Sequence, residues 1–135
     1  MGAAKEPDLY RCAAGYVGVY DLETMYRDQA RYARWTKAWA GDWLGERDSL
    51  AARSPVNLAA RIRVPVFLAA GGKDERAPIE HTERMEKALK KAGVPVESLY
   101  VATEGHGFYT EAHRRAYYTQ LLAFLSKHLG GAPAK

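Results

Sequence analysis

Val64-Pro65-Val66-Phe67-Leu68-Ala69-Ala70-Gly71-Gly72-Lys73-Asp74 is the stretch on which the fold turns. From Val66 to Ala70 every position is apolar, without the alternation of a strand that keeps one wet face. It therefore reads as a strand buried on both sides of a sheet. Pro65 is tolerated because it precedes the centre of the hydrogen-bond ladder. The run Cys12-Ala13-Ala14-Gly15-Tyr16-Val17-Gly18-Val19-Tyr20 has the same character and predicts a strand of the same kind upstream. Residues 94–101 predict a third. Between the strands the apolar period changes to that of helices. Asp21 and Thr24 can cap a helical region over residues 23–44, where Trp35, Trp39 and Trp43 share one face; Gly41 and Gly45 predict that it divides into two shorter helices. Ser54-Pro55 opens a short helical piece that runs to Ala60. Pro78 begins a helix with Ile79, Met85 and Leu89 inward and Gly93 beyond its end. The last helix is expected from about Glu111 to Leu129, with Tyr117, Leu121, Leu122 and Leu125 inward and Gly130-Gly131 closing it. Alternation of strand and helix predicts an α/β fold: a parallel sheet of about three strands between helical layers.

With 135 residues, no repeat and no linker, the chain is expected to be one domain, residues 132–135 forming a loose tail. Hydrophobic residues make up 47% and charged residues 27%, as in a globular protein with a real core. No apolar run approaches the length of a membrane span, and Met1 to Pro7 lacks the apolar core of a signal peptide. The net charge of +4 is spread evenly along the chain, so neither a nucleic acid nor a membrane is expected as partner. The single Cys12 excludes an internal disulfide and a zinc site of several cysteines, and points to a reducing, cytoplasmic location. His81, His113 and His128 form no ligand spacing with His106, so no metal is expected, and no cofactor. His81 and His113 read as exposed helix positions.

Chemistry concentrates in two loops. In a parallel sheet, functional groups gather beyond the carboxyl ends of the strands. Asp74 follows the second strand and His106 follows the third, so both emerge at one edge of the sheet. An Asp beside a His fixes the imidazole tautomer and stabilises the imidazolium formed when the His takes a proton from a nucleophile. Gly71 and Gly72 permit positive φ in a tight turn, and Gly105 and Gly107 leave the His ring unobstructed. The residues alone fit equally a surface Asp in a turn and a His capping the final helix.

Four phrases between Leu9 and Leu129 add to this reading: Ser54-Pro55, Ile62-Arg63-Val64-Pro65-Val66-Phe67-Leu68, Gly71-Gly72-Lys73-Asp74-Glu75-Arg76-Ala77-Pro78, and Glu104-Gly105-His106-Gly107-Phe108. Together they resemble the C-terminal part of the catalytic domain of the prolyl oligopeptidase family, α/β-hydrolase serine peptidases that include acylaminoacyl and dipeptidyl peptidases. The resemblance implies a partial α/β-hydrolase domain, with Asp74 and His106 as the second and third members of a Ser-Asp-His triad for peptide or ester hydrolysis. It departs from the family at Ala70, where His is frequent, and at Ala77, where Val is. The larger departure is the nucleophile. In the family it lies in a G-x-S-x-G-G turn upstream of the strand matching Cys12–Val19, whereas the serines here, Ser49, Ser54, Ser98 and Ser126, lie in no such turn. The oxyanion donors and the family's β-propeller are likewise not in this sequence.

From these readings the chain is expected to bind peptide substrate only when completed by an N-terminal half, and to be inactive alone. The alternative is a stand-alone binding or scaffold module with a vestigial site. The aromatic stripe reads most simply as core; the resemblance implies that its region lies near a substrate pocket, which makes Trp35 and Trp39, with Tyr109 beside the His loop, candidates for a substrate wall. A homo-oligomer is expected, built through the unpaired edge of the Cys12–Val19 strand or through the Trp35/Trp39/Trp43 face.

Overall fold

Val66–Gly71 is the central strand of a three-stranded parallel sheet, and every one of its residues is buried. This computed structural model describes residues 1–32 and 45–131. In chain order the strands are β1 (Ala13–Tyr16), β2 (Val66–Gly71) and β3 (Val96–Val101), and the helices are α1 (Gly2–Lys5), α2 (Leu22–Tyr32), α3 (Leu50–Arg53), α4 (Ile79–Lys91) and α5 (Glu111–Leu129). Two 3-10 turns, Arg47–Ser49 and Pro55–Arg61, flank α3. The sheet order is β1-β2-β3. Ala13 is opposite Val66 and Tyr16 opposite Ala69 on one side of β2, and on the other Val66 is opposite Val96 and Gly71 opposite Val101.

Side chains of β2 alternate between two cores because successive residues point to opposite faces. Val66 and Leu68 pack with Met85 and Leu89 of α4, Ala59 of the second 3-10 turn, Ile62 just after it, and Ala3 and Ala4 of α1. Phe67 and Ala69 pack on the other face with Phe108, and with Tyr117 and Phe124 of α5. The three-layer arrangement follows directly, since both faces of an all-apolar strand must be covered.

Local signals act where they were expected. Asp21 Oδ1 accepts the Thr24 N–H at 3.0 Å, capping α2. At the end of α4, Gly93 has φ 73°, its N–H reaches the Lys90 carbonyl at 3.1 Å, and the Val94 N–H reaches the Leu89 carbonyl at 3.0 Å. That pair of bonds is a Schellman stop, and buried Val94 and Leu89 share one core.

Three expectations are corrected here, and one element was not foreseen. The first strand is Ala13–Tyr16, shorter than Cys12–Tyr20, and it is half-buried with Ala14 exposed. It lies at the edge of the sheet, and Val17, at φ 46°, turns the chain out of the ladder. Leu122 is 45% exposed, whereas Phe124 is buried; the inward stripe of α5 runs Tyr117, Leu121, Phe124, one residue off Leu122. His81 is buried, because it lies four residues before Met85 on the inward face of α4. Helix α1 was not anticipated; it is held by the Met1 carbonyl, which accepts from Ala4 and Lys5, and by burial of its two alanines. Trp35, Trp39 and Trp43, the division into two helices after residue 32, and the tail 132–135 lie outside the described residues.

Candidate active site

Beyond the carboxyl ends of β2 and β3 two loops meet. The Asp74 carboxylate is inaccessible to solvent, and His106 Nδ1 lies 2.9 Å from its Oδ2 and 3.1 Å from its Oδ1. With a carboxylate as acceptor, Nδ1 carries the hydrogen, leaving Nε2 as the basic nitrogen. The His106 side chain remains 37% exposed, so this basic nitrogen belongs to a ring that solvent or a reactant can reach. Asp74 is oriented by its own loop: Oδ1 accepts the backbone N–H groups of Arg76 at 2.9 Å and Ala77 at 2.8 Å. The short side chain of Asp bonding two and three residues ahead is what permits this turn.

The glycines of the two loops do different work. Neither Gly71 nor Gly72 has positive φ. Gly71 is required by close approach: a Cβ there would lie 2.2 Å from the Gly105 carbonyl oxygen and 2.4 Å from that of Glu104. The missing side chain brings the end of β2 against the His106 loop. The Lys73 N–H then donates to the Glu104 carbonyl at 2.8 Å, joining the Asp74 and His106 loops. Gly107, with φ 131°, does need its conformational freedom.

Two further residues hold the His106 loop. The Tyr16 hydroxyl, at the end of β1, accepts the Phe108 N–H, while the Tyr16 ring stacks on Tyr117 at 4.4 Å. Burial raises the Tyr16 phenol above its ordinary value. Glu104, buried, accepts the Tyr109 and Thr110 N–H groups, each at 3.0 Å, and meets His113 Nδ1 at 2.7 Å. Sequence reasoning quoted Glu104 within its motif but assigned it no work, and left His113 as an exposed position; His113 is half-buried and engaged here. The only signal in the sequence was an acid a few residues before the expected start of the last helix, where negative charge is favoured. Tyr109, a candidate for the substrate wall, is 72% exposed, and its hydroxyl donates to the His106 carbonyl at 3.2 Å.

The donors around Glu104, first the side chains of Thr110 and His113 and then the backbone N–H groups of Tyr109 and Thr110, hold its carboxyl down to about 2. An unfolded Glu titrates near about 4.3. A depressed folded value means that this contribution to stability is complete above the unfolded value and is lost as pH falls through the folded one. Urea midpoints are therefore expected to fall between about pH 4.5 and about pH 2, and Glu104→Gln to flatten that part of the profile. An unchanged acid limb in the variant would show that Glu104 does not carry the dependence.

A cleft of about 620 Å³ begins one residue beyond Asp74, lined by Glu75 and Arg76 of the loop, Thr24 and Arg27 of α2, and His81 and Arg84 of α4. Burial lowers the His81 pKa, and its Nδ1 faces the Asp21 N–H at 3.4 Å. Among the described residues no cluster of His, Cys, Asp and Glu is arranged to hold a metal ion.

A parallel sheet between helical layers, with an Asp–His pair beyond the ends of two adjacent strands, defines the class as the α/β-hydrolase fold, here its C-terminal strands. The sequence profile of the prolyl oligopeptidase family matches residues 1–132, and the chain belongs to that family. Dipeptidyl aminopeptidase BIII of Pseudoxanthomonas mexicana is 27% identical over 144 aligned positions, covering 96% of this chain and 20% of that protein. A putative carboxymethylenebutenolidase of Yersinia pestis is 34% identical over 83 positions, 62% of this chain and 31% of that protein. Among solved structures, a puromycin-hydrolyzing peptidase of Mycobacterium tuberculosis superposes with a TM-score of 0.85 at 26% identity, over 98% of this chain and 20% of that one. The chain thus spans between a fifth and a third of the length of these relatives.

Proposed function

We propose that this chain supplies the Asp and His of a Ser-Asp-His triad for hydrolysis of peptide or ester bonds, the serine coming from a segment outside this sequence. The observation that carries the reading is the 2.9 Å contact between His106 Nδ1 and the buried Asp74 carboxylate at the sheet edge. In this reading His106 Nε2 takes the proton of the serine hydroxyl as its oxygen attacks the substrate carbonyl. The same nitrogen returns that proton to the leaving amine or alcohol, giving an acyl-enzyme, and water repeats the sequence to release the acid. Asp74 holds the tautomer and stabilises the imidazolium between the two transfers. The cleft that begins at Glu75 has neither Asp74 nor His106 in its lining, so the candidates for a substrate wall at the pair itself are exposed Tyr109 and, outside the described residues, Trp35 and Trp39. The hydrolase names carried by the relatives support the same reaction class.

A fluorophosphonate probe tests this. The chain alone is expected to remain unlabelled, because it brings neither the activated serine nor the oxyanion donors. Fused behind an upstream family segment containing the G-x-S-x-G-G turn, it is expected to be labelled at that serine. Labelling of Ser49, Ser54, Ser98 or Ser126 in the chain alone, abolished by His106→Ala, would overturn the assignment of the nucleophile. A completed, folded chain that stays unlabelled would favour the alternative, an inactive binding or scaffold module.

We also propose that the chain alone self-associates. The outer edge of β1 pairs with no strand among the described residues, and Leu9 and Tyr10 just before it are exposed at 73% and 41%. A two-fold axis beside β1 covers both features at once. The edge is only four residues long, which limits the strength of strand pairing. Light scattering at micromolar concentration is expected to give a dimer or larger; a stable 15.0 kDa monomer would refute it. Free Cys12 supports a reducing, cytoplasmic location.

A further inference from the structure

We infer that Glu104 is the positioning residue that holds the imidazole of His106 against Asp74. The inference rests on the reading of His106 as the proton-transferring group, and it starts from a weakness in the loop. His106 stands between Gly105 and Gly107, and the Gly107 N–H donates to the Gly105 carbonyl at 2.9 Å, closing a tight turn across it. That local bond shapes the turn but does not tie it to the rest of the fold. The Asp74 contact alone does not set where the loop stands. Glu104 fastens both ends of it. Its backbone accepts from Lys73 at 2.8 Å, one residue before Asp74, and its N–H donates to Val101 at 3.2 Å at the end of β3. Its carboxylate crosses the loop to Tyr109 and Thr110, each at 3.0 Å, and to His113 on α5 at 2.7 Å. One residue therefore joins β3, the Asp74 loop and the first turn of α5, with His106 in the span it closes.

The arrangement also explains why the group is a carboxylate. The Tyr109 and Thr110 N–H groups both point at it, and Thr110 is the residue that precedes α5. An ionised carboxylate accepts on both oxygens at once, and its charge suits a helix N-terminus. A Gln can accept on one oxygen only. The Tyr16 hydroxyl bond to the Phe108 N–H is an independent tie, so losing Glu104 frees the loop without detaching it from the sheet. The chain is thereby expected to stay folded when Glu104 is changed.

The test is made on the isolated chain with its histidine rings labelled with nitrogen-15. Proton–nitrogen spectra near neutral pH read the His106 Nδ1–H, assigned by its loss in His106→Ala. Wild type is expected to give a downfield, slowly exchanging proton. In Glu104→Ala its exchange is expected to rise about ten-fold or more, as for the loss of a charge-assisted hydrogen bond, while the amide shifts of Val66–Gly71 stay in place. Glu104→Gln is expected to fall between the two. His113→Ala, which leaves both backbone donors on Glu104, is expected to stay near wild type. Exchange in folded Glu104→Ala within about two-fold of wild type, well under one such bond, would overturn the inference. If that variant does not fold, a Glu104→Gln spectrum identical to wild type overturns it instead. No hydrolysis is measured, so a failure of the triad reading, seen as an unlabelled completed chain, is recorded separately from a failure here.

Discussion

His106→Ala in the completed chain is expected to lower kcat/KM toward a peptide ester by on the order of 10⁴-fold or more, with KM nearly unchanged. The variant removes the imidazole whose Nε2 takes and returns the proton in the proposed reaction. Asp74→Asn is expected to cost a similar factor, about 10⁴, for a different reason. The amide retains the shape and can still receive the Arg76 and Ala77 N–H groups on its oxygen. Its NH2 then faces His106 Nδ1 and places the hydrogen on Nε2, the nitrogen that must be free to take the serine proton. Steady-state kinetics on ester and amide substrates separate the contributions. A loss confined to KM, or one below about ten-fold in kcat/KM, would remove the pair from the chemistry.

Gly71→Ala is expected to destabilise the fold by about 3 kcal/mol and to part the two loops. The added Cβ would meet two backbone carbonyl oxygens, at 2.2 and 2.4 Å, and neither can swing aside as the end of a side chain could. The end of β2 and the Glu104-Gly105 backbone must separate, and the Asp74–His106 contact opens with them. Gly93→Ala is the control. Its Cβ meets nothing within 4 Å, so only the strain of φ 73° remains, about 1 kcal/mol. Urea denaturation followed by tryptophan fluorescence gives both values, and the His106 Nδ1–H resonance reports the contact. Equal losses for the two variants would mean that the loops slide past each other and that Gly71 is not the spacer.

The second and third strands, the end of α4 and the pairing of Asp74 with His106 were legible in the sequence, because each depends on chemistry local to a few residues or on the order of elements. A continuous apolar run such as Val66–Ala70 has no stable place except between two covered faces. Gly93 stops α4 because its φ suits few other residues. Asp74 and His106 follow adjacent parallel strands, and that topology brings their loops to one edge whatever the side chains between them. The family motifs then supplied the expected roles.

What only the tertiary structure decided is what depends on a neighbour distant in sequence. Gly71 reads as a turn residue, and its actual work, admitting the Gly105 carbonyl, is visible only once β2 and β3 are side by side. Burial of His81 and exposure of Leu122 depend on which way α4 and α5 roll on the sheet. A shift of one residue, about 100° around a helix, is beyond what periodicity resolves. Glu104 looked like one acid among many until the start of α5 arrived with two N–H groups and an imidazole to meet it. Local sequence sets backbone preference and the order of elements; which polar group meets which depends on packing over the whole sheet, where a displacement of an ångström makes or breaks a hydrogen bond.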